Sequence, residues 1–144
     1  MYRRAESALV VIYDRQRRVL VLQRNDDSDF WQSVTGTLEP GEEAIHTARR
    51  EVCEETGIDI HACGYCLVDC HQCNRYKIRP RWQHRYPPNT HFNRECVFSL
   101  EVSGEDHIAL TEHSSYLWLD KTQAMEKVWS NTNRQAICDY VPNE

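Results

Sequence analysis

The chain has 144 residues, 40% apolar and 27% charged, with four Trp, seven Tyr and three Phe. A chain of this length hides roughly 70% of its unfolded surface, so disorder and coiled coil are excluded and one domain over residues 1–144 is expected. Seventeen basic against twenty-two acidic residues give a net charge of −5, which excludes a protein that works by neutralising a nucleic-acid backbone.

Seven cysteines are an odd number, and Met1-Tyr2-Arg3-Arg4 leads into no signal-type apolar segment. Reduced thiols in a cytoplasmic protein are therefore expected rather than a disulfide scaffold. No apolar run approaches the roughly 18 residues a membrane helix needs, so no membrane partner is expected either.

Ser7–Tyr13 and Arg18–Gln23 are Val/Leu/Ile-rich runs separated by Asp14-Arg15-Gln16-Arg17, the pattern of a β-hairpin. Phe30–Thr35 reads as a short strand entering Gly36. From Glu42 to Thr56 the period becomes helical: Ile45, Ala48 and Val52 form one apolar stripe. Pro40-Gly41 precedes the segment, and Gly57 stands where a left-handed residue closes a helix. Ile58–Val68 and Cys96–Val102 are expected as longer strands and Tyr116–Asp120 as a short one. Ala124–Trp129 and Asn133–Tyr140 are expected to be helical. The fold class expected is α/β (α+β), a mixed sheet packed between helices.

At about 100° per residue, Glu51 and Glu55 lie on one side of the 42–56 helix with Glu54 flanking them. Like charges at i, i+4 destabilise a helix by a few tenths of a kcal/mol. A divalent cation offsets that repulsion, and hard oxygen ligands suit Mg²⁺, with Mn²⁺ able to substitute. The plain alternative is a solvated face balanced by Arg49 and Arg50.

The full pattern is Gly36, five residues, Glu42, seven residues, Arg50-Glu51-Val52, one residue, Glu54-Glu55, one residue, Gly57-Ile58. Over residues 36–58 this resembles the Nudix box. The resemblance implies the Nudix fold and hydrolysis of a diphosphate linked to another moiety. It also implies Glu51, Glu54 and Glu55 as catalytic acids, with Glu51 and Glu55 holding metal. Gly36, Glu42, Arg50 and Gly57 would keep the box in shape.

Gln23–Gly36, His84-Arg85-Tyr86-Pro87, Thr111-Glu112-His113 and Asn133–Ile137 are similar to one branch of that family, the bacterial dihydroneopterin triphosphate pyrophosphohydrolases of folate synthesis. That resemblance implies cleavage to the monophosphate and pyrophosphate, with side activity on dNTPs such as dATP. It adds Glu112 to the metal ligands and Arg3, Arg24, Thr35, Tyr76, Lys77, Ile78, Arg79 and Ser130 to the substrate contacts. A small-molecule triphosphate is the partner implied, with the chain a monomer or homodimer. The alternatives are a general (d)NTP or oxidised-nucleotide pyrophosphatase, a non-enzymatic Nudix-type sensor, and a small zinc-dependent nucleic-acid module.

Cys70–Arg94 contains no acid but six Lys or Arg, interleaved with Tyr76, Trp82, Tyr86 and Phe92. Guanidinium groups suit phosphate and aromatic faces suit a flat heterocycle, against the alternative of a mobile solvated loop. Cys63, Cys66, Cys70 and Cys73 show two CxxC pairs, but three intervening residues are too few for paired zinc knuckles. On the expected strand these thiols are small buried hydrophobes. Trp31 is expected as a core aromatic, and His113 is expected to be structural.

Overall fold

The computed structural model describes residues 2–143, so the two ends of the 1–144 span lie outside the described residues. The expected hairpin is present as β1 (Glu6–Asp14) and β2 (Val19–Arg24), antiparallel with Tyr13 opposite Val19. Asp14 holds its turn from a fully buried position: its carboxylate accepts from the Gln16 and Arg18 backbone N–H groups and from Arg18 Nε at 2.7–2.9 Å.

The expected 30–35 strand divides at the buried Ser33 into β3 (Trp31–Gln32), which pairs with β2, and β4 (Val34–Thr37), which pairs with β1. One edge of β1 is thus shared, by β4 along Ser7–Val10 and by β2 at Tyr13. The other edge of β1 runs parallel to β6 (Phe92–Val102) over its full length. Beyond β6 lies antiparallel β5 (Leu67–Lys77), and β7 (His113–Leu119) pairs with β2 to complete a seven-stranded mixed sheet.

Alternation along the strands feeds two cores. Ala8, Val10, Phe98 and Leu100 face α1 (Ala44–Thr56) through Ala48 and Val52, with Ile45 packed at the margin. Leu9, Val11 and Val97 face α2 (Lys121–Lys127) and α3 (Asn131–Tyr140) through Ala124, Ala136 and Ile137, and Trp31 joins this second core as expected. The sheet therefore lies between helices. Both C-terminal helices start earlier than their apolar residues suggest, because Asp120 and Ser130 cap them by accepting from the Gln123 and Asn133 backbone N–H groups.

Two expectations are corrected. Ile58–Cys66 is not strand: the segment turns at Asp59–Gly64, where Gly64 takes φ 71°, and β5 begins only at Leu67. Ile58 and Ile60 are buried without strand pairing, so their β-like composition reflects burial alone. The cysteines of this region are also not buried hydrophobes, since Cys63, Cys66 and Cys73 are exposed and Cys70 is half-buried. The acid-free window is no loose loop, being β5, a 3-10 turn at Pro80–Arg85 and β6.

Candidate active site

Residues 36–58 are organised by one guanidinium. Arg50 donates through Nε and Nη2 to the two Glu42 carboxylate oxygens, both at 2.9 Å, and through Nη2 to the Thr37 carbonyl at 3.2 Å. Its Nη1 reaches Glu51 at 2.6 Å and Glu54 at 3.2 Å. The fork holds the Glu42 carboxyl at about 2, below the ordinary carboxylate range. The left-handed turn at Gly57 (φ 81°) stops α1 at Thr56, one residue after Glu54-Glu55. Gly36 is required for proximity, because a Cβ there would overlap the Glu51 carboxylate.

Glu55 is buried, 3% exposed, and neither carboxylate oxygen has a hydrogen-bond partner. Burial first, and the adjacent Glu51 carboxyl second, push its pKa well upward. Burial likewise raises Glu51 to about 7. The nearest candidate counter-charge is His113, with Nε2 3.7 Å from Glu55 Oε1. Burial depresses that imidazole to about 4, so at neutral pH it carries no charge to offset Glu55. Gln32 Nε2 lies 3.1 Å from the same ring nitrogen, and the other ring nitrogen, Nδ1, is buried without a partner.

Two adjacent carboxylates, one buried with both oxygens unpartnered, are a donor set that fits a hard divalent cation. Mg²⁺ takes few protein carboxylates and completes its shell with water and phosphate; Glu51 and Glu55 are the two that stand together here. Glu112 lines the same cleft from an exposed position, and its charge adds to the upward push on Glu55.

The cleft encloses about 890 Å³ and brings together every residue expected at the site except Glu42 and Gly57, which support it from outside. Arg79 stacks over Trp129 (4.6 Å) and Trp82 (4.9 Å), and its Nη1 is buried with no partner. Arg24 lies over Trp82 and Phe30, with Nε and Nη2 given to Asp26 at 2.7 and 2.8 Å. Phe30 itself stacks on Trp129 at 4.9 Å. Arg3, Thr35 and Lys77 line the walls, and Ile78 is buried with its backbone N–H on the His91 carbonyl. Ser130 lines the cleft while capping α3.

The profile of the NUDIX domain matches residues 3–140. The chain belongs to the Nudix family of hydrolases. Members of this family work with divalent metal ions. This Nudix chain is 47% identical over 146 residues to the Escherichia coli K12 protein named dihydroneopterin triphosphate diphosphatase, covering 99% of this chain and 96% of that one. It is 41% identical to the Haemophilus influenzae protein of the same name, over 99% and 90%. The solved structure of the E. coli dihydroneopterin triphosphate pyrophosphohydrolase superposes with a TM-score of 0.93 at 46% identity, covering 98% of this chain and 97% of that one.

The Nudix cleft also contains residues that sequence reasoning did not assign. Gln32, Phe30, Trp129, Asn93, Glu95 and Asn133 all line it. Asn133 carried a local signal, a cap-proximal Asn at the head of a helix, but its contact to Ser33 spans 100 residues. His113, expected to be structural, sits directly against Glu55.

Proposed function

We propose that this chain, acting as one catalytic unit over residues 1–144, hydrolyses dihydroneopterin triphosphate to dihydroneopterin monophosphate and pyrophosphate with Mg²⁺ as cofactor. The observation that carries the reading is the buried Glu55 carboxylate, unpartnered beside Glu51 in a cleft with cationic and aromatic walls. The named substrate of relatives 41–47% identical over nearly the whole chain supports the pterin. Glu51, Glu55 and Glu112 would hold the cation, which supplies charge neutralisation on the phosphates and a more acidic water.

The protein's own groups do the rest. Arg50 orients Glu51 and Glu54, and Gly36 lets the Glu51 carboxylate lie against β4. A carboxylate of this cluster left beside the attacking water would accept its proton. Arg79, with a buried unpartnered N–H group, and Arg3 and Lys77 receive the polyanion. Trp129, half exposed at the edge of the Phe30–Trp82–Trp129 cluster that Arg24 and Arg79 already cover, offers aromatic surface any flat base can use, consistent with side activity on dNTPs such as dATP. No described helix is long and apolar enough to cross a membrane, and a cytoplasmic location is proposed from the unpaired cysteines.

The test is a parallel assay of dihydroneopterin triphosphate, dATP and dGTP with Mg²⁺, following pyrophosphate against orthophosphate release. Pyrophosphate release with the pterin preferred in kcat/KM is expected. Preference for purines by orders of magnitude would replace this reading with a general dNTP pyrophosphatase.

A further inference from the structure

Behind the phosphate-binding wall lies a second buried carboxylate that the metal chemistry does not use. Glu95 of β6 is 5% exposed and lines the cleft. Its register partners are Ser7 on β1 and Asn74 on β5, which places it on the α3 side of the sheet, opposite α1 and its acids. Around it are polar groups already engaged with one another: Asn93 Nδ2 donates to Ser7 Oγ at 2.7 Å, and the Tyr76 hydroxyl is drawn in beside both. Asn133 ties α3 to Ser33 through two hydrogen bonds at 2.8 and 2.9 Å.

Glu95 is less well provided for. Asn74 Nδ2 reaches Oε1 at a long 3.5 Å, and the Thr132 side chain stands beside the carboxyl while its own hydroxyl is shared with Ser130 Oγ at 2.9 Å. A carboxylate accepts about four hydrogen bonds, and no Lys or Arg acts on this one. Burying an acid with half its acceptor capacity unused is unfavourable unless a ligand supplies donors. A triphosphate cannot do so, since it is an anion and an acceptor. The neutral end of the substrate can.

We propose that Glu95 reads the 2-amino-4-oxo edge of the bound heterocycle, its two carboxylate oxygens accepting the adjacent ring N–H and exocyclic amino N–H of a pterin or guanine. The donor pair matches the carboxylate as a guanidinium fork does. Adenine offers a lone pair at N1 where that edge has an N–H, so it faces the carboxylate with an acceptor and loses the contact. Stacking on the aromatic wall tolerates every base, and the selective step falls to Glu95. The inference deepens the proposed pyrophosphohydrolase reading and rests on it.

Three measurements test it. In the unaltered protein, dGTP should exceed dITP in kcat/KM by on the order of tenfold or more, because dITP lacks only the 2-amino group. In Glu95→Gln, the ratio of kcat/KM for dihydroneopterin triphosphate over dATP should fall by a similar factor. Binding of neopterin, followed by its fluorescence without metal, should weaken in parallel. Equal use of dGTP and dITP by the unaltered protein overturns the proposal whether or not the variant folds, as does an unchanged pterin-to-adenine ratio in a folded variant. An unaltered protein that prefers adenine to pterin would instead defeat the proposed substrate, a separate result.

Discussion

At the scale of single residues, the site is defined by which carboxylate can be satisfied by protein alone. Glu42 can, because Arg50, Thr47 and the Glu39 backbone N–H all donate to it. Glu55 cannot. Replacing Glu55 by Gln is expected to reduce turnover by on the order of 10²–10⁴-fold while circular dichroism stays native; near-normal turnover would remove Glu55 from the mechanism. Gly36→Ala tests the same cluster from the other side. The new methyl group occupies the space of the Glu51 carboxylate, so Glu51 must turn away, and a loss of roughly 10–100-fold in Mg²⁺ affinity or kcat is expected, in the range typical of groups that orient metal ligands. Titrating activity against Mg²⁺ separates the two effects, and an unchanged curve would show that Glu51 need not lie against β4.

Among the elements, α1 and its flanks were legible because the signals are local: an apolar stripe every three to four residues, a glycine at the C-terminal turn and fixed spacing of acids and Arg50. The β1–β2 hairpin was legible for the same reason. What was not legible depends on contacts distant in sequence. Ile58 and Ile60 look like strand residues because they are apolar and β-branched, yet they are buried under a turn. The carboxyl of Glu95 and the ring of Trp129 enter the cleft only once β6 has paired with β1 and the α2–α3 connection has folded against β3. The Asn133 link is of this kind. Its Oδ1 accepts the buried Ser33 N–H at 2.8 Å and its Nδ2 donates to Ser33 Oγ at 2.9 Å, fixing α3 to the β3–β4 corner. Asn133→Ala leaves that N–H buried and unpaired, at about 1–3 kcal/mol, so Tm should fall by roughly 3–10 °C. A shift below about 1 °C would mean that the corner rearranges to find another acceptor.

For the whole molecule, a chain of net charge −5 would need a cation to receive the proposed triphosphate, and that dependence should be visible in stability as well as in catalysis. Without metal, Glu51 and Glu55 both have raised pKa values in the fold, Glu51 at about 7 and Glu55 well above its ordinary range. Raised carboxyl values favour the folded state while the groups are protonated, so that stability is fully present below about pH 4.5 and is lost as pH rises through the folded values. His113 acts in the opposite sense: its value, lowered to about 4, adds stability above about pH 6.5 that is lost as pH falls. At pH 6.5 His113 is neutral in the fold but still about half charged in the unfolded chain, so above that pH it adds only roughly 0.4 kcal/mol and the carboxylates dominate the slope. In EDTA, therefore, Tm should decline from pH 6.5 to 8, and Glu55→Gln should flatten that decline by removing one of the two coupled charges. Saturating Mg²⁺ should raise Tm more at pH 8 than at pH 6.5, since the cation binds the ionised pair and not the protonated one. If Tm in EDTA is level across this range, or if Mg²⁺ stabilises both pH values equally, the buried pair is not the metal site, and the acidic face of α1 is a solvated surface after all.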